Sequence, residues 1–331
     1  MKNELYFSLL TLAFIAFNTP TQAQEHPVKQ ENRIIEPIPY GHFDKWMVHE
    51  VKESFIIGGD TKYTYEIIDL DTLKNNNPFI PNGVTPWANS SVMAHVKGIY
   101  KASTTVFPEK RDNGYCARLE TRIEDVKVLG LLNLHVLATG TIYTGETFEP
   151  IKSADNPQSK ITRGIPFTKR PSALIFDYKV KVGGVQYKTG ATGLGKPKCM
   201  GTQNRAEVFA LFQHRWEKDG EVYAARVGTG FKAFEEDVTE WQNGYEIPIK
   251  YGDISKDVDF DISADLNDRY ETEECFYTLN SEGKNVPIHE VEWDGTKEPT
   301  HLILIFTSGN GGAYVGAPDA IFWIDNVKLA Y

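Results

Sequence analysis

Apolar and polar residues alternate with a period of two along most of this chain. In the run LIFDYKVKV, Leu174, Phe176, Tyr178, Val180 and Val182 fall on one side, and Asp177, Lys179 and Lys181 on the other. That period sets one face of a β-strand on a core and leaves the other to solvent. Strands are also predicted over 115–123 (YCARLETRI), 244–251 (GYEIPIKY), 301–309 (HLILIFTSG) and 320–329 (AIFWIDNVKL). The runs VFALFQHRW (208–216) and VYAARVGTG (222–230) flank EKDGE, which predicts a hairpin turning at Asp219 and Gly220. Two segments, 128–138 and 164–171, do not alternate cleanly, and 120–134 (ETRIEDVKVLGLLNL) is compatible with a short helix after a strand. The recurring helical stretches that a βαβ enzyme places between its strands are not in the pattern. The expected class is an all-β sandwich with long loops.

The first residues read differently. Lys2 precedes an apolar run over 5–17, followed by NTPTQA ending at Ala23, the layout of an export signal cleaved after that alanine. Glu4 offsets Lys2, and the run is shorter than the ~20 apolar residues of a membrane span. No transmembrane segment is expected, and no cysteine follows the run to carry a lipid anchor. The expected location is therefore the periplasm or the cell surface. Residues 24–40 are polar and rich in proline, which suggests a flexible tether, with a single folded domain over 41–331 beginning near Phe43. The formal charge of −10 disfavours nucleic acid and anionic membrane as partners, since phosphates need a basic counterpart. Cys116, Cys199 and Cys275 form neither a CxxC pair nor a metal cluster, and buried free thiols are expected.

Five segments, in their order along the chain, resemble one family. They are FDKW (43–46), PWANSS (86–91), GIPFTKRPSALIFDYKV (164–180), YEIPIKY (245–251) and the terminal block from HLILIFTSGNGG to IFWIDNVKLAY (301–331). Together they are similar to the PCMD family, the "putative carbohydrate metabolism domain" of Bacteroides-type surface and periplasmic proteins. The resemblance implies a jelly-roll, galactose-binding-like β-sandwich and an association with glycan utilisation, with surface glycan-utilisation proteins as partners. It carries no catalytic set to transfer, so catalytic residues stay unassigned. In similar jelly rolls a structural calcium lies near the junction of the first and last strands. Asp44 and Asp325 are the positions for it here.

Sugar sites commonly pair aromatic rings, which cover the apolar faces of pyranoses, with amides and carboxylates that collect hydroxyls. Trp87 with Asn89, in a turn-like segment, and Trp241 with Gln242 are the first candidates, followed by Tyr143 and Tyr245. Trp216, Trp323 and Trp46 are expected in the core. Alternation sets Asp325 on the Trp323 face with Ile321, Val327 and Leu329, where a carboxylate needs a cation or several donors.

The acidic stretch 253–269 fails as an EF-hand, because Ile262 stands where glycine is needed and Asp268 where a bidentate glutamate is. The loop 190–198 is no phosphate loop, since Pro197 follows Lys196. HExxH and GxSxG are absent from the sequence. Glycoside hydrolysis would need two opposed carboxyls, for which Glu120, Glu207, Glu235, Asp237 and Glu240 are candidates. Three functions stay open: a carbohydrate-binding accessory protein, a glycoside hydrolase, and an adhesin-like structural protein.

Overall fold

The computed structural model describes residues 33–81, 83–128, 132–190, 192–265 and 276–331. The expected export signal, the first part of the expected tether and Cys275 lie outside the described residues. Residues 34–331 form one compact unit.

That unit is nearly all β. Among the described residues, two sheets enclose the main core. The smaller has six strands, ordered Val238–Pro248, Ala173–Lys181, Ile321–Ala330, Gly114–Glu120 and Val106–Arg111, with Ile35–Pro37 also paired to Ile321–Ala330. The larger has nine, running Tyr277–Leu279, Asn285–Trp293, Glu221–Phe234, Ala206–Lys218, His301–Thr307, Thr141–Thr144 and Trp87–Asn89. Two short strands, Ile165–Pro166 and Lys250–Tyr251, pair onto it. Between the sheets pack Leu174, Phe176, Val208, Phe212, Phe306 and Phe322. A second cluster, including Phe209, Leu211, Ile303 and Ile305, covers the outer face of the larger sheet. The long strands of that sheet are therefore apolar on both faces.

The hairpin turn lies where the sequence predicts it. Lys218 pairs with Glu221, and Asp219 and Gly220 both have positive φ, the two-residue turn whose twist matches the strands.

Five expectations fail. Residues 35–37, assigned to the tether, form an edge strand against 328–330, a position that tolerates Pro37, and Ile38 is buried. The possible helix over 120–134 is a hairpin of Arg122–Val128 with Leu132–Ala138, where β-branched and apolar positions find a partner strand. Trp323 faces outward, because Asn326 (φ 54°) inserts an extra residue that shifts the pairing between Ile175 and Asp177. Phe322 and Ile324 then join Val327 and Leu329 in the core, with Trp323 half-buried on the other face. Trp216 is also half-buried, stacked 6.0 Å from Tyr223. Of the thiols, Cys116 is buried but Cys199 is exposed.

Candidate functional site

A cavity of about 400 Å³ opens over the outer face of the larger sheet. Its floor is Tyr143, Phe209 and Ile305, carried by three adjacent strands. One wall is the hairpin Val92–Val96 with Ile99–Ser103, another is the strand Leu132–Ala138, and the remainder comes from segments 151–163 and 309–314. Backbone bonds join these walls: Ile151 N–H donates to Met93 O, and His95 N–H to Ile151 O. Tyr314 Oη donates to Ala154 O at 2.6 Å, tying the glycine-rich loop to the facing segment. Gly145 (φ +143°) begins the turn out of the floor, and a Cβ there would lie 2.1 Å from Thr162 O. Only glycine allows that approach.

The floor is rigid. Tyr143 shares a hydrogen bond with Thr147 at 2.7 Å, and the Arg163 guanidinium stacks 3.5 Å from its ring centroid. Burial raises the Tyr143 pKa. Among the lining residues, charge is carried by Lys101, Glu124, Lys160 and Arg163. Lys101 bridges Glu53 at 2.9 Å and Glu124 at 3.8 Å, and both residues of the Lys101–Glu124 pair are partly exposed.

Beside the cavity lies a buried acid cluster that the sequence reading missed. Glu149 accepts Met93 N–H at 2.7 Å and Phe79 N–H at 3.2 Å, and approaches His49 Nδ1 to 3.5 Å. Asn89 Nδ2 donates to Glu66 at 3.0 Å and also to Tyr65 O, while its Oδ1 accepts Ser91 N–H. Burial pushes Glu149 up to about 7, the two N–H donors opposing it. Glu66 is raised too, by burial first and then by Glu149. His49, Glu66, Asn89 and Glu149 stand at successive gaps of 17, 23 and 60 positions and carry no spacing signal.

A raised carboxylate pKa means that the folded state holds the proton while the unfolded chain has lost it. Stability from Glu149 should therefore be full below pH 4.5 and fall as pH rises to about 7. Glu149→Gln should flatten this fall, the removed penalty amounting to about 3 kcal/mol at most. Thermal melts of both proteins at pH 5, 6, 7 and 8 would show it. Parallel curves would exclude Glu149 as the titrating group.

The sequence-chosen residues divide between two places. Asn89 and Tyr143 line the cavity. Trp87 does not offer a platform: it sits in a three-residue strand, 1% exposed, between Phe43 and Phe306, with Nε1 donating to Pro39 O at 2.8 Å. Tyr245 packs on Phe176 and Tyr178. Trp241 lies in the strand Val238–Pro248 rather than a loop, half-buried, with the Arg111 guanidinium 3.8 Å from its ring centroid, and Gln242 beside it is exposed.

Arg111 also answers the question posed by Asp325. Its Nη1 donates to Asp325 at 2.8 Å, its Nη2 lies 3.0 Å from Asp177, and Asn326 N–H donates to Asp325 as well. Burial still pushes Asp325 up to about 6. Asp44 instead accepts Tyr115 N–H. A guanidinium and an N–H thus meet Asp325, the protein's own alternative to a cation at this carboxylate. The acids considered for hydrolysis lie elsewhere: Glu207 and Glu235 on Arg205, Glu120 on Arg118, Asp237 on Val182 N–H, and Glu240 exposed.

A family model described as "Putative carbohydrate metabolism domain" matches residues 42–330. Two solved structures resemble the fold. One, described as a putative glycoside hydrolase from Bacteroides thetaiotaomicron, is 18% identical, with a TM-score of 0.41 over 69% of this chain and 57% of its own. The other, a putative glycoside hydrolase from Bacteroides vulgatus, is 16% identical, with a TM-score of 0.40 over 89% of this chain and 94% of its own. This chain thus spans little more than half of the first. Comparison with curated proteins finds no match. Among the described residues, no helix is long and apolar enough to cross a membrane.

Proposed function

The chain belongs to the "Putative carbohydrate metabolism domain" family, and from that membership and the cavity we propose that it binds a carbohydrate-containing ligand as an accessory protein. The layout of residues 1–23 supports a site of action in the periplasm or at the cell surface. The observation that carries the reading is the cavity itself, whose volume lies within the range of small-molecule sites and whose floor is aromatic and aliphatic. A hydrolase reading draws on the raised carboxylates Glu66 and Glu149. Neither lines the cavity, where Glu124 is the one carboxylate among the described lining residues, and hydrolysis needs two. Binding is the better-supported reading.

Titration calorimetry of the protein against a broad panel of plant and host glycans and glycoconjugates tests it. Ile305→Trp, which fills the floor, should weaken binding at least tenfold, and Trp241→Ala, on the other sheet, should leave it unchanged. Absence of binding at millimolar concentration by every glycan and glycoconjugate of the panel would overturn the reading, as would a loss confined to Trp241→Ala.

A further inference from the structure

Most hydroxyl and amide groups around the cavity are already engaged by the protein. Ser90 Oγ bonds Thr105 Oγ1 at 2.7 Å and accepts Thr141 N–H at 2.8 Å. Thr139 Oγ1 donates to Val315 O, Thr141 Oγ1 to Thr307 Oγ1, and Thr307 Oγ1 to Gly309 O, at 3.0–3.1 Å. The Asn89 amide is held on both sides, as described above. Four further polar atoms of lining residues, Ser103 Oγ, Gln158 Oε1 and Arg163 Nε and Nη1, are buried beneath the surface, so they add nothing that a ligand could reach. Meanwhile Val92, Ala94, Val96, Val136, Ile151 and Ile161 are left partly exposed around the same space. Free pyranose hydroxyls placed here would lose water without gaining partners, at a cost for each one. Aliphatic groups would lose nothing and would bury the walls.

Resting on the carbohydrate reading, we infer that the cavity takes the aliphatic acyl or alkyl part of a glycoconjugate, with its sugar at the partly exposed Lys101–Glu124 pair. The ligand class is then an amphiphile rather than a bare oligosaccharide. Lys101 and Glu124 offer a donor and an acceptor beside each other, which suits a sugar's vicinal hydroxyls. The chain supplies most of the affinity and the sugar the selectivity.

The probe is a series of n-alkyl glucosides from methyl to octyl, each below its micelle concentration, followed by calorimetry. Affinity should rise roughly fourfold per added methylene until the cavity is full. Ile305→Trp should abolish that dependence, and the milder Ala94→Leu should shorten the best chain, which keeps the test valid if the first variant folds poorly. Equal affinity for methyl and octyl glucoside would overturn the inference while leaving the carbohydrate reading intact. An octyl chain on a sugar-free zwitterionic head that binds as tightly as octyl glucoside would support the apolar site and remove the carbohydrate reading. Absence of binding by the whole series at millimolar concentration would overturn the inference.

Discussion

Trp87→Ala is expected to lower folding stability by ~3–5 kcal/mol, because it removes the largest fully buried side chain and leaves a cavity that the sandwich cannot collapse. The ring is held between Phe43, at 5.6 Å, and Phe306, at 6.4 Å, so its loss loosens contacts on both sides. Its Nε1 also closes the segment around Pro39 onto the core, and Ala would leave that carbonyl without its donor. The melting temperature should fall by on the order of 10 °C. Trp87→Phe keeps much of the buried area and loses the N–H, so it should lie between the wild type and alanine. Calorimetric melts of the three proteins, with ligand affinity measured on the folded fraction, decide the matter. A Trp87→Ala protein of normal stability with lost ligand affinity would restore the exposed-platform reading.

Loss of the Arg226–Glu290 pair at one partner should be comparably severe. Arg226 is fully buried and donates through Nε and Nη2 to both Glu290 oxygens at 2.7 and 2.6 Å, a bidentate arrangement. Its Nη1 reaches Thr229 and Ala264 O, and Gln213 adds a donor to Glu290. The pair fastens the strand Asn285–Trp293, which runs parallel to its neighbour Glu221–Phe234, to the rest of the larger sheet. Arg226→Ala or Glu290→Ala leaves a buried charge uncompensated and should cost ~3–5 kcal/mol. The double variant Arg226→Met with Glu290→Leu should recover much of that, because replacing both charges by apolar groups removes the desolvation penalty on each side. Urea midpoints of the singles and the double test this. If the double is no more stable than the worse single, specific hydrogen bonds to Thr229 and Ala264, rather than charge burial, hold the strand.

Both expectations concern features that are invisible in the chain as written. Trp87 stands in a strand of three residues, too short for alternation to reveal which way its ring points. Arg226 and Glu290 lie 64 positions apart, and no spacing rule connects them. Trp241 shows the converse: no alternation marks a strand before Gly244, yet the strand runs from Val238 to Pro248. There Asp177 accepts Gly244 N–H at 2.7 Å and supplies the tertiary contact that keeps the strand going.

What the sequence determined by itself was the class and the kinship. Period-two alternation over Ala173–Lys181 and continuous apolar runs within Ala206–Lys218 and His301–Thr307 dictate strands, and the Asp219–Gly220 turn dictates how Ala206–Lys218 joins Glu221–Phe234, because these are local preferences of backbone and side chain. The order of FDKW, PFTKRP and the terminal block was enough to identify the family. Tertiary structure alone decided phase and place. One left-handed residue, Asn326, moved Trp323 to the outside and brought Asp325 to Arg111, and a single inserted residue has no signature in hydrophobic pattern. The cavity was decided in the same way. Its floor and walls come from segments as distant as residues 89 and 314, and a void exists only where packed elements fail to meet, which no local rule can foretell.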